Sequence, residues 1–435
     1  MLFALFFGAG NLIFPALLGQ EAGTSIWPAS IGLLITGVGL PLLGILAIAY
    51  SGSKSLQDLA SRVSPAYGVF FTSLLYLTIG PFFAAPRTGT VGFEIGISPF
   101  VSEENTNTGL LIFTIIFFVV TLIFALFPGR IVDNIGKILA PALVVLLVAL
   151  LIMAVVNPIG NMQAPLEKYQ SGAFFEGFIV GYNTMDALAS LVFAIIVINV
   201  VRSMGVTSRK EIVSITSKTG IIAISLLGLI YVGIAYLGAT STSTLGYFDN
   251  GGPVLSGAAE YYLGTFGQIV LAVVIILSCL TTAIGLIVAN SEYFHILIPK
   301  VSYKVFVVFF TTITFIIANF GLTNIITYSE PVLMFLYPLA ITLMLLTFLS
   351  PLFNHAKIVY VATTVVTFFI SIVDGFKTFY GDTPPNWLAE VVGFYEKYLP
   401  LYTEGLGWLL PAAIVIVITG LIAKVFNLSS ATEQS

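Results

Sequence analysis

Charged residues are scarce in this chain. Only 8% of its 435 residues are Asp, Glu, Lys or Arg, whereas 58% are hydrophobic, and a soluble globular protein carries about 25% charged residues. The net charge of −4 is small, and the sequence has no clustered basic face of the kind that binds nucleic acid. The composition therefore predicts a chain whose main solvent is lipid and whose partners exclude nucleic acids.

Cysteine and histidine are scarcer still. The single cysteine, Cys279, lies in an apolar run and excludes an intramolecular disulfide. The two histidines, His295 and His355, fall in predicted cytoplasmic loops. A membrane-embedded enzyme would need nucleophiles or metal ligands inside its spans, so we expect no enzyme, no cofactor and no transition metal. A channel or receptor, which would show a charged ring or a large soluble domain, is a distant alternative.

Long apolar runs fill most of the chain. A helix that crosses a bilayer needs about 20 mostly apolar residues, whereas the strands of a membrane barrel alternate over about 10 residues. These runs are long and do not alternate, so the sequence predicts an all-α polytopic membrane protein with about twelve transmembrane helices. The predicted spans lie near residues 1–19, 25–49, 66–94, 109–127, 138–157, 173–199, 213–239, 264–290, 304–320, 329–349, 356–374 and 406–426.

Lysine and arginine indicate the orientation of these spans. With the loop at 20–24 outside, twelve of the sixteen basic residues lie on the inner side, three lie on the outer side, and Arg87 alone lies within a span. Because cytoplasmic loops are enriched in these residues, we expect both termini to be cytoplasmic. The first span begins inside an apolar run, and about a dozen upstream residues would complete the ~20 that a span needs.

Two spans contain residues that disfavour a continuous helix. The first carries Gly8, Gly10 and Asn11 at its middle, and the sixth carries Gly181 followed by NTMD at 183–186. Glycine loosens a helix, Asn and Asp compete for main-chain hydrogen bonds, and irregular backbone at membrane depth needs protein or water around it. The sequence therefore predicts a break in each span. Close helix packing is the alternative explanation of Gly8 and Gly10, but it does not account for Asn11, Thr184 and Asp186 at the same depth.

The spacing of the breaks predicts a topology. They lie five helices apart, which orients the two broken helices oppositely, as inverted repeats require. Transporters of this kind bind substrate and ions beside such helices. Half-helix N-termini suit a carboxylate and free carbonyls suit a cation, so two facing breaks match a zwitterionic amino acid.

The eighth span carries hydroxyl groups on one face. Ser278, Thr281 and Thr282 lie at i, i+3 and i+4. Hard cations prefer oxygen ligands, so this face is a candidate Na⁺ site. Hydrogen bonding of each hydroxyl back to its own helix is the more common role.

Ionisable residues at membrane depth are functional candidates. Arg87 lies in the third span, with Glu94 two turns further on the same face, and Asp186 lies at the sixth-span break. An unpaired buried arginine is costly, so we expect Arg87 to pair with Asp186 or Glu94, as a structural lock or as a moving gate.

Four stretches resemble the bacterial branched-chain amino acid carrier family, the leucine/isoleucine/valine:cation symporters. They are FALFFGAGNLIFP at 3–15, LTIGPFFAAPRT at 77–88, GYNTMDALA at 181–189 and CLTTAIGL at 279–286. The start of the last span, Gly407–Leu409, is similar too, so the resemblance runs from end to end. It implies a distant relationship to the amino acid–polyamine–organocation superfamily. It also implies a five-plus-five inverted-repeat core at 1–349, with repeats at 1–157 and 173–349, and two accessory helices in 350–435.

The resemblance also implies roles for individual residues. The substrate would contact the main chain near the first break and the wall of the second, at Gly8, Ala9, Gly10, Tyr182, Asn183, Thr184 and Asp186. A sodium ion would be held by carbonyls of Ala4, Phe7 and Ser278 and by hydroxyls of Thr281 and Thr282, with Asn11 near a second ion.

The expected function is import of leucine, isoleucine and valine across the bacterial cytoplasmic membrane, coupled to Na⁺ by alternating access. One methylene in a hydrophobic pocket is worth only about 1–3 kcal/mol, so the three substrates should share one carrier. Coupling to H⁺ and selectivity for another amino acid are the alternatives.

Overall fold

A computed structural model describes residue 3, residues 7–127 and residues 130–428, without the side chains of residues 130–140. Helix is the only regular structure in these residues. The expected all-α class is therefore confirmed.

The helices follow the predicted apolar runs closely. The first nine are α1 Gly10–Ala22, α2 Ile26–Leu34, α3 Leu40–Ser51, α4 Leu56–Ala60, α5 Pro65–Leu77, α6 Ala84–Gly96, α7 Thr106–Leu126, α8 Arg130–Val156 and α9 Glu167–Ser171. The next nine are α10 Ala173–Asn183, α11 Asp186–Ser203, α12 Arg209–Leu245, α13 Gly252–Leu297, α14 Tyr303–Ala318, α15 Leu322–Leu349, α16 Lys357–Tyr380, α17 Asn386–Tyr398 and α18 Leu409–Val425.

Length and hydropathy suit many of these helices to a bilayer. Within the described residues, eight helical stretches are long and apolar enough to span a membrane, and three apolar helices are shorter. The sixth predicted span is divided into two helices, of which α10 has only 11 residues. The chain is therefore a multi-pass membrane protein, and the number of twelve spans stays a prediction.

The chain forms two compact units. The first contains residues 1–35, 76–185 and 223–327. Within it, α13 packs against α6, α8 and α14, and α10 packs against α2. Glycine allows the α2–α10 contact, because a Cβ at Gly177 would overlap the carbonyl oxygen of Ala29.

The second unit contains residues 36–75, 186–222 and 328–435. Here α11 packs along α3, and α16 packs against α18. An apolar cluster that includes Val63, Leu346, Tyr360 and Ala423 joins the first and last of these three segments. The predicted repeat boundaries and the accessory role of 350–435 stay predictions.

The predicted breaks are present. Residues 7–9 are not helical and α1 begins only at Gly10, while Thr184 and Met185 separate α10 from α11. Met185 has a φ of 61°, a left-handed conformation that is rare for a residue with a side chain.

Further irregularities were not predicted. Wide π-helical turns occupy Ile35–Gly39 and Thr78–Phe82, with non-helical backbone at Gly80. Gly264, with φ 65°, divides α13 near its start. The segment between the last two predicted spans, residues 375–405, contains the helix α17. These irregular turns lie within long apolar runs and do not change the hydropathy, so hydropathy alone could not predict them.

We predict that Gly177→Ala will destabilise the protein, because the added methyl group cannot fit against Ala29 without moving a helix. Overpacking of this kind costs about 1–3 kcal/mol. The measurement is the thermal unfolding midpoint of the purified protein in detergent. Gly285→Ala is the matched control, since Gly285 is also inside a helix and a Cβ there meets nothing within 4 Å. Equal midpoints for the two variants would contradict the packing argument.

Candidate functional site

The first break is held by Asn11. The main-chain N–H of Gly8 donates to Asn11 Oδ1 at 2.8 Å, and Asn11 Nδ2 donates to the hydroxyl of Tyr231 on α12. Asn11 is 1% exposed, so water cannot replace these contacts. Since the first N–H groups of a helix have no partner within it, Asn11 satisfies one donor of the unwound segment and ties that segment to α12.

The second break exposes the C-terminal carbonyls of α10. Two of them are satisfied locally: Thr184 Oγ1 donates to the Gly181 carbonyl at 2.8 Å, and the Met185 N–H donates to the Tyr182 carbonyl at 3.0 Å. The carbonyl of Asn183 instead accepts from Arg87 Nη1 at 2.6 Å. The second break therefore depends on the left-handed backbone of Met185 and on the hydrogen bond that Arg87 donates from α6.

Arg87 contacts both broken helices. Its side chain is 2% exposed, and its Cζ lies 4.9 Å from the centre of the Phe14 ring on α1 while its Nη1 binds the end of α10. A positive charge at a helix C-terminus is favourable, and a cation over a desolvated aromatic face gains about 2 kcal/mol. Arg87 thus stabilises the ends of two interrupted helices from its position on α6.

The two acidic residues expected to pair with Arg87 lie on different helices, Glu94 on α6 and Asp186 on α11. Glu94 lies two turns further along α6, beside Gly252. Asp186 is buried in the first turn of α11, where the positive end of that helix favours a carboxylate. An ion pair of Arg87 with either acid stays a prediction.

The two breaks adjoin each other. A Cβ at Gly10 would lie 3.3 Å from the carbonyl oxygen of Thr184, which is tight. A Cβ at Gly8 would have only ordinary contacts, 3.6 Å from Asn11 Oδ1 and 3.9 Å from the methyl group of Thr282. Close packing therefore explains the glycine at position 10 but not the one at position 8.

The hydroxyl face of α13 lies beside the first break, through the contact between Gly8 and Thr282. Thr281 Oγ1 and Thr282 Oγ1 both donate to the Ser278 carbonyl, at 2.9 and 3.0 Å, which is the common role of such hydroxyls. The buried Ser278 Oγ has no hydrogen-bond partner among the described residues. Each hydroxyl oxygen still has lone pairs for a cation.

The other predicted site residues divide between the described and undescribed parts of the chain. Phe7 and Ala9 lie in the non-helical segment before α1, and Tyr182 is buried near the end of α10. Ala4 lies outside the described residues. No group of three or more His, Cys, Asp or Glu side chains suited to a metal ion occurs in the described part of the chain.

Sequence reasoning missed several members of this site. Phe14 and Tyr231 are aromatic residues in apolar helices, and nothing in the sequence marks them as partners of Arg87 and Asn11. The irregular turn at Gly80 was also missed, although the Gly80-Pro81 pair is a known turn signal. A Cβ at Gly80 would overlap the side-chain amide of Asn290 on α13.

We predict that Arg87→Gln will slow leucine uptake, the activity that the resemblance implies, by about tenfold or more. A hydrogen bond to a charged group is worth about 1.5–3 kcal/mol, and each 1.4 kcal/mol is tenfold. The measurement is the initial uptake rate divided by the amount of protein in the membrane. Thr90→Val on the same helix is the control, because the Thr90 hydroxyl donates, among the described residues, to carbonyls of its own helix. A normal rate for Arg87→Gln would contradict the role given to Arg87.

Comparison with known proteins extends these observations. The family model described as branched-chain amino acid transport protein matches residues 1–426. The branched-chain amino acid permease BrnQ of Bacillus subtilis is 46% identical over 428 residues, 98% of this chain and 96% of that protein. The branched-chain amino acid transport system 2 carrier protein of Pseudomonas aeruginosa is 42% identical over 419 residues, 96% of this chain and 93% of that protein.

Two solved structures share the fold at low identity. A mutant of the Eremococcus coleocola manganese transporter has a TM-score of 0.57 at 15% identity, with 98% of this chain and 94% of that chain covered. Mhp1 in an inward-facing conformation has a TM-score of 0.56 at 13% identity, with 99% and 92% covered. These neighbours have the LeuT-like fold. The chain belongs to the branched-chain amino acid transport protein family, and it is a multi-pass membrane transporter rather than an enzyme.

Proposed function

We propose that the protein is a secondary active symporter that imports leucine, isoleucine and valine together with Na⁺ by alternating access. The observation that carries this proposal is the proximity of the two breaks at Gly10 and Thr184. The names of the relatives support the substrate class, since they are branched-chain amino acid permeases and carriers.

The polarity of the two helix ends suits an α-amino acid. The N-terminus of α1 offers main-chain N–H groups and the positive end of a helix dipole, which favour a carboxylate. The C-terminus of α10 offers carbonyl oxygens, which favour an ammonium group. In this proposal Gly8, Ala9 and Gly10 face the carboxylate, and the segment from Tyr182 to Asp186 forms the opposite wall.

The proposed sodium site lies beside the first break. Its ligands would be the carbonyls of Ala4, Phe7 and Ser278 and the hydroxyls of Thr281 and Thr282. The position of Thr282 beside Gly8 supports this assignment, as does the oxygen-only ligand set that hard cations prefer. Asn11 is proposed for a second ion, which would share Oδ1 with the Gly8 N–H.

Alternating access would use an inverted-repeat core. We assign the repeats to 1–157 and 173–349, with both termini on the cytoplasmic side of the bacterial plasma membrane. Ion binding would stabilise the outward-open state and complete the substrate site. The coupling between ion and substrate can be no larger than their differential affinity for the two states.

Coupling to H⁺ is the second candidate, because carboxyl groups are buried in the spans. Asp186 is 4% exposed and Asp374 on α16 is 3% exposed. A carboxyl group that loses and regains a proton between two states would link transport to the proton gradient.

Uptake of labelled leucine into vesicles, with Na⁺ and H⁺ gradients imposed separately, tests the proposal. We expect the Na⁺ gradient to drive accumulation, with isoleucine and valine as competitors. Gly10→Leu should abolish uptake while it leaves membrane insertion intact, because its side chain would displace Thr184. Accumulation driven only by the H⁺ gradient would contradict Na⁺ coupling, and full transport by Gly10→Leu would contradict the site.

We predict that Thr282→Ala will shift the Na⁺ dependence of leucine uptake to about tenfold higher Na⁺ concentrations, as expected for a lost ligand worth about 1.4 kcal/mol. Thr312→Ala is the matched control, since its hydroxyl also bonds to the carbonyl four residues earlier, at Val308, but lies on another helix. If the Na⁺ dependence of Thr282→Ala equals that of the control, Thr282 is not an ion ligand.

A further inference from the structure

A small basic cavity lies where three helices of the second unit begin or end. It has a volume of about 150 Å³ and is bounded by the end of α3, the end of α11 and the start of α12. Because transmembrane helices begin and end near the membrane surface, the cavity lies at the depth of the lipid headgroups. Its lining residues are Ile48, Ala49, Gly52, Ser53, Ile198, Arg202, Thr207, Arg209 and Ile212.

The cavity contains positive charge without a matching negative charge. Arg202 and Arg209 both line it, and none of the lining residues is acidic. Within the described part of the chain, neither guanidinium group forms a salt bridge or donates a hydrogen bond. Like charges that share a cavity repel each other. An anion bound between the two arginines would therefore be electrostatically favourable.

Arg209 is exposed, and its guanidinium group lies against two neighbours. Its Cζ lies 5.5 Å from the centre of the Tyr50 ring and 3.7 Å from the point where a Cβ would lie on Gly52. Gly52 has a φ of 70° at the C-terminus of α3, a conformation that favours glycine. The Tyr50 ring and the Gly52 turn therefore lie against the guanidinium group at the cavity, and its N–H groups stay available to bind an anion.

The remaining lining matches a phosphate on an apolar tail. Guanidinium groups bind phosphate through paired N–H donors, and the hydroxyls of Ser53 and Thr207 can add further donors. The three isoleucines are apolar. A free inorganic phosphate would gain nothing from an apolar wall, whereas the glycerol and first acyl carbons of a phospholipid would.

We propose that this cavity binds the phosphate of an anionic phospholipid, with Arg202 and Arg209 as its ligands. Basic pockets between membrane helices are recognised sites for anionic headgroups. The positive-inside distribution assigns this end of the helices to the cytoplasmic leaflet. The site does not depend on the substrate or on the coupling ion of the transporter.

The experiment measures lipid binding directly. Purified protein in nanodiscs of phosphatidylcholine is compared with protein in nanodiscs that also contain phosphatidylglycerol, by native mass spectrometry of retained lipid and by the thermal unfolding midpoint. We expect phosphatidylglycerol to be retained and to raise the midpoint of the unmodified protein. Arg202→Gln/Arg209→Gln should lower retention by about tenfold or more, because each lost charge-assisted hydrogen bond to the phosphate weakens binding by at least that factor.

A control of equal charge separates this site from general attraction to a negative membrane. Lys210→Gln/Lys218→Gln removes two positive charges from α12, and neither residue lines the cavity. This control should retain phosphatidylglycerol like the unmodified protein. Equal loss in both double variants, or no loss in the arginine variant, would overturn the proposal.

A third measurement distinguishes the source of the phosphate. Inorganic phosphate is added to protein in pure phosphatidylcholine nanodiscs. We expect no change in the unfolding midpoint. A rise that the arginine double variant loses would overturn the lipid assignment and make the cavity a site for free phosphate. Because both readouts are independent of uptake, a failure here is distinguishable from a failure of the proposed transport function.

Discussion

The hydrogen bond from Arg87 to the Asn183 carbonyl meets the strictest demand of a membrane interior, that every main-chain polar group has a partner. An interrupted helix leaves carbonyls without their usual donors, and lipid supplies none. Arg87 donates to Asn183 O at 2.6 Å, and its own charge is balanced in part by the C-terminal dipole of α10 and by the ring of Phe14. The break in α10 and the burial of the arginine therefore stabilise each other, and the site next to Gly10 depends on both.

The first break follows the same principle with a neutral partner. Asn11 accepts from Gly8 and donates to Tyr231, so one amide group satisfies the unwound segment and fixes it to α12. Because Asn11 is neutral, it leaves the N-terminus of α1 with its positive partial charge. Arg87 is cationic, so it offsets part of the negative partial charge at the C-terminus of α10. The electrostatic field at the N-terminus of α1 is therefore less compensated than the field at the C-terminus of α10. In the proposed substrate site, a carboxylate would meet the positive end of α1, whereas an ammonium group would share the end of α10 with Arg87.

The sequence predicts the helical class and both breaks for clear physical reasons. Spanning helices require long apolar runs, and Gly8, Asn11 and Thr184 interrupt two of those runs with groups that disfavour helix. The aromatic partners of Asn11 and Arg87 could not be predicted, because Tyr231 and Phe14 are far in sequence from the residues that they contact. The turn at Gly80 was missed because a Gly-Pro pair in a membrane helix is compatible with a mild kink as well as with a full interruption. In the eighth span, the sequence could not distinguish an ion-binding role of the hydroxyls from a structural one. The hydroxyls of Thr281 and Thr282 donate to the Ser278 carbonyl, and their oxygens still have lone pairs for a cation.

The left-handed backbone at Met185 makes the two breaks unequal in stiffness. A side chain in this conformation has few alternative geometries, and its burial at 2% exposure offsets the strain of about 1–3 kcal/mol. The first break has glycine at position 8 and at position 10, where α1 begins, which leaves its backbone many accessible geometries. The second break is therefore stiffer than the first. In the proposed carrier, adjustment to substrates of different shape would fall mainly to the first break.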